Sequence, residues 1–254
     1  MTQRARSLVL GGARAEVFAD KSALVEAAAG RLTTLARECI ADRGRFTIAL
    51  AGGSTPADLY RRLAHPEGSA LDWTKVHFFF GDERSVGPVH PDSNYRMAHE
   101  CLFGPASVPE ANIHRIEAER PPSEAAAEYE KTLRSAFGMQ GDDPPCFDLV
   151  LLGLGADAHT ASLFPNTSAL DVKDRLVVAN AVPKLSTNRI TLTATVLNAA
   201  AHVWFVVAGA SKAQAVHDVL LGDPHPHERP AQLISVPGGE LIWWLDEPAA
   251  ASLG

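Results

Sequence analysis

The chain has 254 residues, 46% hydrophobic and 21% charged, enough to bury a full core as one large α/β domain or two small ones. Its net charge of −7 argues against nucleic acid or an anionic membrane as main partner, so an anionic ligand would need cations gathered locally. Cys39, Cys101 and Cys146 form no CxxC pair and indicate neither a disulfide framework nor a zinc site. They fit a reducing, cytoplasmic setting. The first ten residues lack an apolar leader core, and no 18-residue apolar span occurs.

Taken in order, Leu8–Leu10 and Ala15–Phe18 read as short extended runs, and Asp20 as an N-cap. Leu24, Val25, Ala28, Leu32, Leu35, Ala36, Cys39 and Ile40 then form a helical stripe ending near Gly44. A strand over 45–51 runs into Gly52-Gly53-Ser54-Thr55-Pro56, with Pro56 in the first turn of a helix to about Leu63. Freed amides, two hydroxyls and a helix N-terminus there suit a phosphate or oxyanion, although a plain turn with an N-cap fits the same residues. It is not a Walker loop, since no Gly-Lys-Ser/Thr follows. Val76–Phe80 is a strand leading to Asp82, Glu83 and Arg84, which taken alone read as a solvated charged loop. Ser93 caps a helix to about Leu102. Asn112–Ile116 is predicted as a short strand. Residues 123–137 form an alanine-rich helix whose Glu and Lys make a solvated face.

Leu149–Leu152 is short and continuously apolar, as expected for a strand buried on both faces. Gly153 and Gly155 let the backbone turn and approach a ligand closely, and Asp157 and His159 follow at once. Thr160–Leu163 is expected to start a short helix that Pro165 stops. A proton-transfer residue thus stands past the carboxyl end of a strand, where open α/β sheets bind ligands. A glycine turn with a chance surface histidine is the plain alternative. Downstream come Leu176–Ala181, a strand at Ile190–Thr193 opened by Arg189, a short helix around Leu197, and a strand over 202–208. Gly209–Ala213 turns into a helix to Leu220, placing Lys212 against the helix dipole. That position suits an anion held there, or a solvated side chain. Glu240–Asp246 is the last strand, closed by an alanine-rich turn, with Trp243 and Trp244 as packing residues. His225 and His227 lack the partners of a metal site. The alternation from residue 45 onward predicts a mostly parallel, Rossmann-like sheet covered on both faces, in one domain over 1–254.

The run Gly-Leu-Gly-Ala-Asp-Ala-His-Thr-Ala-Ser-Leu-Phe-Pro at 153–165 resembles the signature of 6-phosphogluconolactonases. Gly-Gly-Ser-Thr-Pro, Asp-Glu-Arg with Asp-Ser-Asn-Tyr, and Arg189 before Ile-Thr-Leu-Thr with Lys212 after its glycine extend the resemblance from about Phe18 to Leu245. Two positions depart from it: Ala158 and Gly81 stand where the family has glycine and an apolar residue. An alanine pays for a φ > 0 backbone at 158 where glycine would not. The resemblance implies a three-layer α/β/α fold of the sugar-phosphate isomerase type and hydrolysis of 6-phospho-D-glucono-1,5-lactone to 6-phospho-D-gluconate in the oxidative pentose phosphate pathway. It implies His159 as general base activating water, and Asp157 to orient it or to position substrate hydroxyls. Arg84 would serve the carbonyl or the phosphate, and Asp82 the substrate. Arg189, Lys212, Gly52, Gly53, Ser54 and Thr55 would hold the phosphate. The scheme requires no metal or organic cofactor, and no Gly-x-Ser-x-Gly elbow points to a serine nucleophile. The implied partner is a small phosphorylated sugar lactone. A glucosamine-6-phosphate deaminase shares the fold but follows its histidine with Ile-Ala-Phe-Asn-Glu-Pro. A non-catalytic sugar-phosphate sensor would need a DNA-binding module for which residues 1–20 are too short.

Overall fold

The computed structural model describes residues 5–10, 13–65 and 71–254. Strands β1 (Arg6–Leu10) and β2 (Ala13–Phe18) form an antiparallel pair. Helix α1 (Lys21–Arg43) starts where the Asp20 carboxylate accepts the amide of Ala23 at 2.8 Å, and it ends at Gly44, whose φ of +76° glycine adopts without strain. The chain continues through β3 (Phe46–Leu50), α2 (Ser54–Ala64), β4 (Val76–Phe80), β5 (Asp82–Arg84) and α3 (Asn94–Ala98), which runs on as π-helix through Phe103. Then come α4 (Pro122–Ala136), β6 (Leu149–Leu152), β7 (Val177–Val182), β8 (Thr187–Leu192) and α5 (Ala194–Asn198). The last elements are β9 (His202–Val207), α6 (Ala213–Leu220), β10 (Glu240–Asp246) and α7 (Glu247–Ala250).

Seven strands form one sheet in the order β1-β2-β10-β9-β6-β3-β4, parallel throughout except for β1 at the edge. Every residue of β3 and β6 is buried, so these strands are covered on both faces. Trp243 stacks on Phe205 with ring centroids 3.9 Å apart, and Trp244 packs against Phe18 and Trp204, as expected of core residues. From β3 the chain goes on to β4 on one side; from β6 it goes on to β9 on the other. The directions diverge between β3 and β6, which makes their carboxyl ends the switch point where open sheets hold ligands.

A second, antiparallel sheet in the order β5-β8-β7 was not foreseen from the strand–helix alternation. Gly81 joins the two sheets: its amide donates to Leu50 O at the end of β3, and its carbonyl accepts from Leu192 N of β8. The Asp82–Arg84 segment is therefore a strand with Asp82 and Glu83 buried, and not a solvated loop. Three other expectations fail. Residues 112–116 form no strand, because the Asn112 side chain donates to the carbonyls of Trp73 and Thr74 and holds a 3₁₀ turn, after which the chain pairs with β4 through an isolated Ile113–Phe78 bridge. Thr160–Leu163 is a tight turn, not a helix, since Ala161 takes a φ of +46° that a right-handed helix excludes. Glu130 of α4 is buried, not on a solvated face. Its carboxylate accepts the amides of Leu176 and Val177 and pairs with Arg175.

Candidate active site

Both glycine turns lie at the switch point, and a Cβ added to Gly153 would come within 3.9 Å of Gly52 O. The first turn uses Gly53 at a φ of +104° to bend from β3 into α2, so that Ser54, Thr55 and Pro56 form the first turn of the helix. Gly52 has no room for a side chain: a Cβ there would stand 2.1 Å from Oδ1 of Asn94. The second turn is closed by hydrogen bonds from Gly155 N to His159 O, from Ala158 N to Gly155 O, and from Thr160 Oγ1 to Gly153 O. Ala158 adopts a φ of +59°, so alanine takes the left-handed conformation at this family glycine position. Gly155 is needed for a different reason: a Cβ would lie 2.0 Å from Nδ1 of His159 and 2.6 Å from Oδ1 of Asp157. The space it opens is filled by the loop's own side chains.

That packing brings His159 Nδ1 to 2.5 Å from Asp157 Oδ1, with the imidazole stacked on Phe164 at 4.1 Å between centroids. The other carboxylate oxygen of Asp157 accepts from Nζ of Lys184 at 3.2 Å. Burial works against ionising Asp157. The hydrogen bonds and charges of His159 and Lys184 outweigh it and hold the carboxyl down at about 2. An ionised carboxylate only accepts, so Nδ1 carries the ring proton and Nε2 is the nitrogen left for a proton on a ligand or water.

The small sheet supplies guanidinium groups. Arg84 and Arg189 are directly paired across β5 and β8. Like charges in that register repel. The Nε of each is buried without a hydrogen-bond partner among the described residues, although Arg84 also donates to the Asp92 carbonyl. Burial, with the charge of Arg84, depresses the pKa of Arg189. An anion between them would relieve both effects. Lys212 closes the 3₁₀ turn that opens α6, after Gly209 at a φ of +100°.

A cavity of about 310 Å³ unites these groups: Gly52, Gly53, Ser54, Thr55, Asp82, Arg84, His159, Arg189 and Lys212 all line it. Asp157 stands behind His159, outside that lining. Asp82 lines the cavity and also ties its walls together. Its carboxylate is buried and held by Ser162 Oγ at 2.6 Å and Asn94 Nδ2 at 3.2 Å. Asn94 touches both Asp82 and Gly52, so Asp82 links β5, the first glycine turn and the histidine loop. Neighbouring Glu83 accepts the amides of Asn94 and Tyr95 and the hydroxyl of Ser93, fixing the start of α3. Ser162, Asn94 and Phe164 lie within the family-like motifs, whose spacing alone gives them no role. Lys184 has no local signal, being an exposed lysine 27 residues from its partner. Among the described residues no group of three or more His, Cys, Asp or Glu side chains is arranged to hold a metal ion, and no helix is long and apolar enough to cross a membrane.

A family model described as glucosamine-6-phosphate isomerases/6-phosphogluconolactonase matches residues 19–243. The chain belongs to this family. A 6-phosphogluconolactonase of Synechocystis sp. is 45% identical over 239 residues, covering 94% of this chain and 97% of that protein. A probable 6-phosphogluconolactonase of Arabidopsis thaliana is 37% identical over 232 residues, 87% of each. The solved 6-phosphogluconolactonase structure from Trypanosoma brucei superposes with a TM-score of 0.82 at 29% identity, covering 94% of this chain and 98% of that one. The family thus contains two named activities, and the strong relatives carry one of them.

Proposed function

We propose that this chain, acting as one domain, is a 6-phosphogluconolactonase that opens 6-phospho-D-glucono-1,5-lactone with a water activated by His159. The carrying observation is the single cavity onto which His159, backed by Asp157, converges with the Gly52–Thr55 turn, Arg84, Arg189 and Lys212. In this reading Nε2 of His159 takes a proton from water as the oxygen attacks the lactone carbonyl, forming a tetrahedral oxyanion. Collapse breaks the bond from the carbonyl carbon to the ring oxygen, and the imidazolium returns its proton to that leaving oxygen. Asp157 fixes the ring tautomer and stabilises the imidazolium while remaining ionised, as its low pKa supports. The amides of the Gly52–Thr55 turn, with Arg189 and Lys212, hold the phosphate at a helix N-terminus. Arg84, opposite Arg189, supplies the second guanidinium, for the phosphate or the oxyanion. Protein groups and water suffice for every step.

The test is lactone decay followed by NMR, with the phosphorylated lactone generated in situ, with and without purified protein and after chelator treatment. Acceleration that survives chelation supports the reading. Turnover at the spontaneous rate sinks it and directs attention to the deaminase reaction. His159→Ala is expected to lower kcat by about 10²- to 10⁴-fold with substrate binding retained. Undiminished turnover in that variant removes His159 as the base.

A further inference from the structure

Lys184 sits in the Pro183–Ser186 turn between β7 and β8, where Ser186 reverses the chain at a φ of +48°. It does not line the cavity that contains His159. It lines a separate cavity of about 600 Å³, onto which Asp157 and Phe164 also open, so it reaches the histidine only through the carboxylate. Asp157 is thereby bridged, one oxygen to the imidazole and the other to the ammonium. We propose that Lys184 is a positioning residue for the reaction: it completes a Lys184–Asp157–His159 chain, holding the carboxylate in place and tempering its pull on the imidazole proton. The inference rests on His159 being the base.

The sign follows from the geometry. An ammonium beyond the carboxylate neutralises part of the charge that would stabilise the imidazolium, so the histidine gives up its proton more readily than it would beside Asp157 alone. The other charged groups around the histidine are Asp82 and Arg84 of β5, Arg189 of β8 and Lys212 before α6 on the cavity side. On the far side, Asp218 of α6, Glu228 and Arg229 line the second cavity. All of these are unchanged when Lys184 alone is substituted. The Lys184 side chain is 73% exposed, so solvent and salt screen its charge and the effect is small.

The experiment compares the wild-type chain with Lys184→Met and Lys184→Arg, reading the NMR titration of the His159 ring and the pH dependence of kcat/KM for the phosphorylated lactone. A neutral base makes the rate rise with pH through the histidine pKa. The Met variant is therefore expected to move both the titration midpoint and the acid limb upward by about half a unit, with KM changed less than twofold. The Arg variant should restore both, and the Met shift should shrink in 1 M salt. An unmoved His159 titration overturns the proposal for Lys184 while leaving the histidine as base. A titration that shifts under an unmoved rate profile overturns the histidine as base, and with it any part of Lys184 in the reaction. A raised KM without either shift makes Lys184 a substrate contact instead.

Discussion

Ala158 holds a left-handed backbone because both its peptide groups are engaged: its amide donates to Gly155 O, and its carbonyl accepts from Ala231 N at 3.0 Å. An L-residue pays roughly 1–2 kcal/mol for that conformation. Ala158→Gly removes the cost but gives back part of it through the freer unfolded chain and a lost buried methyl. The net expectation is a gain of up to about 1 kcal/mol, seen as a thermal midpoint raised by roughly 1–4 °C with turnover retained. A lowered midpoint would mean that the methyl packing outweighs the strain. The sequence exposes this residue, since a family glycine is replaced, but not which side the balance falls on. It likewise marks Gly155 as a place of close approach. What approaches is the imidazole of His159 and the carboxylate of Asp157, a contact set by side-chain rotamers that spacing alone does not reveal.

Among the elements, β3, β4, β6, β9 and β10 were legible as apolar runs, and their parallel order follows from the intervening helices. Strand β5 was not legible. It is three charged residues long, and it exists because β8 pairs with it and because its carboxylates find buried donors. Ser162 is the donor that ties β5 to the histidine loop: it is 1% exposed, and its hydroxyl meets Asp82 Oδ2 at 2.6 Å. Ser162→Ala leaves a buried carboxylate oxygen short of its partner, at a cost of about 1–3 kcal/mol. It also frees Arg84 to shift relative to His159. Urea unfolding should register that loss of stability, and steady-state kinetics a fall in kcat of about tenfold, larger than any rise in KM. Unchanged stability would show that Asn94 satisfies Asp82 unaided. The Glu130 contact with the start of β7 escaped sequence reading for the same reason, its partners being 45–47 residues away.

On the scale of the whole molecule, a chain of net charge −7 brings two paired arginines and a lysine to the switch point of its sheet. The composition shows the acidity, and only the topology shows that the cations meet. At physiological salt, charges further than about 8 Å from the cavity are largely screened, so a bound anion responds chiefly to the groups lining it. If those groups form a phosphate cradle, inorganic phosphate alone binds the folded state and stabilises it by mass action, reaching about 2.7 kcal/mol at a hundredfold excess over Kd. The thermal midpoint should climb with phosphate concentration, and by much less with chloride at matched ionic strength. Lys212→Ala should then blunt the phosphate response and raise KM for the lactone while leaving kcat within a few-fold, because a phosphate contact would be made equally to substrate and transition state. A full phosphate response in that variant would remove Lys212 from the cradle and leave the anion to the Gly52–Thr55 turn and the arginine pair. Equal stabilisation by chloride would mean that the cavity attracts any anion by charge alone.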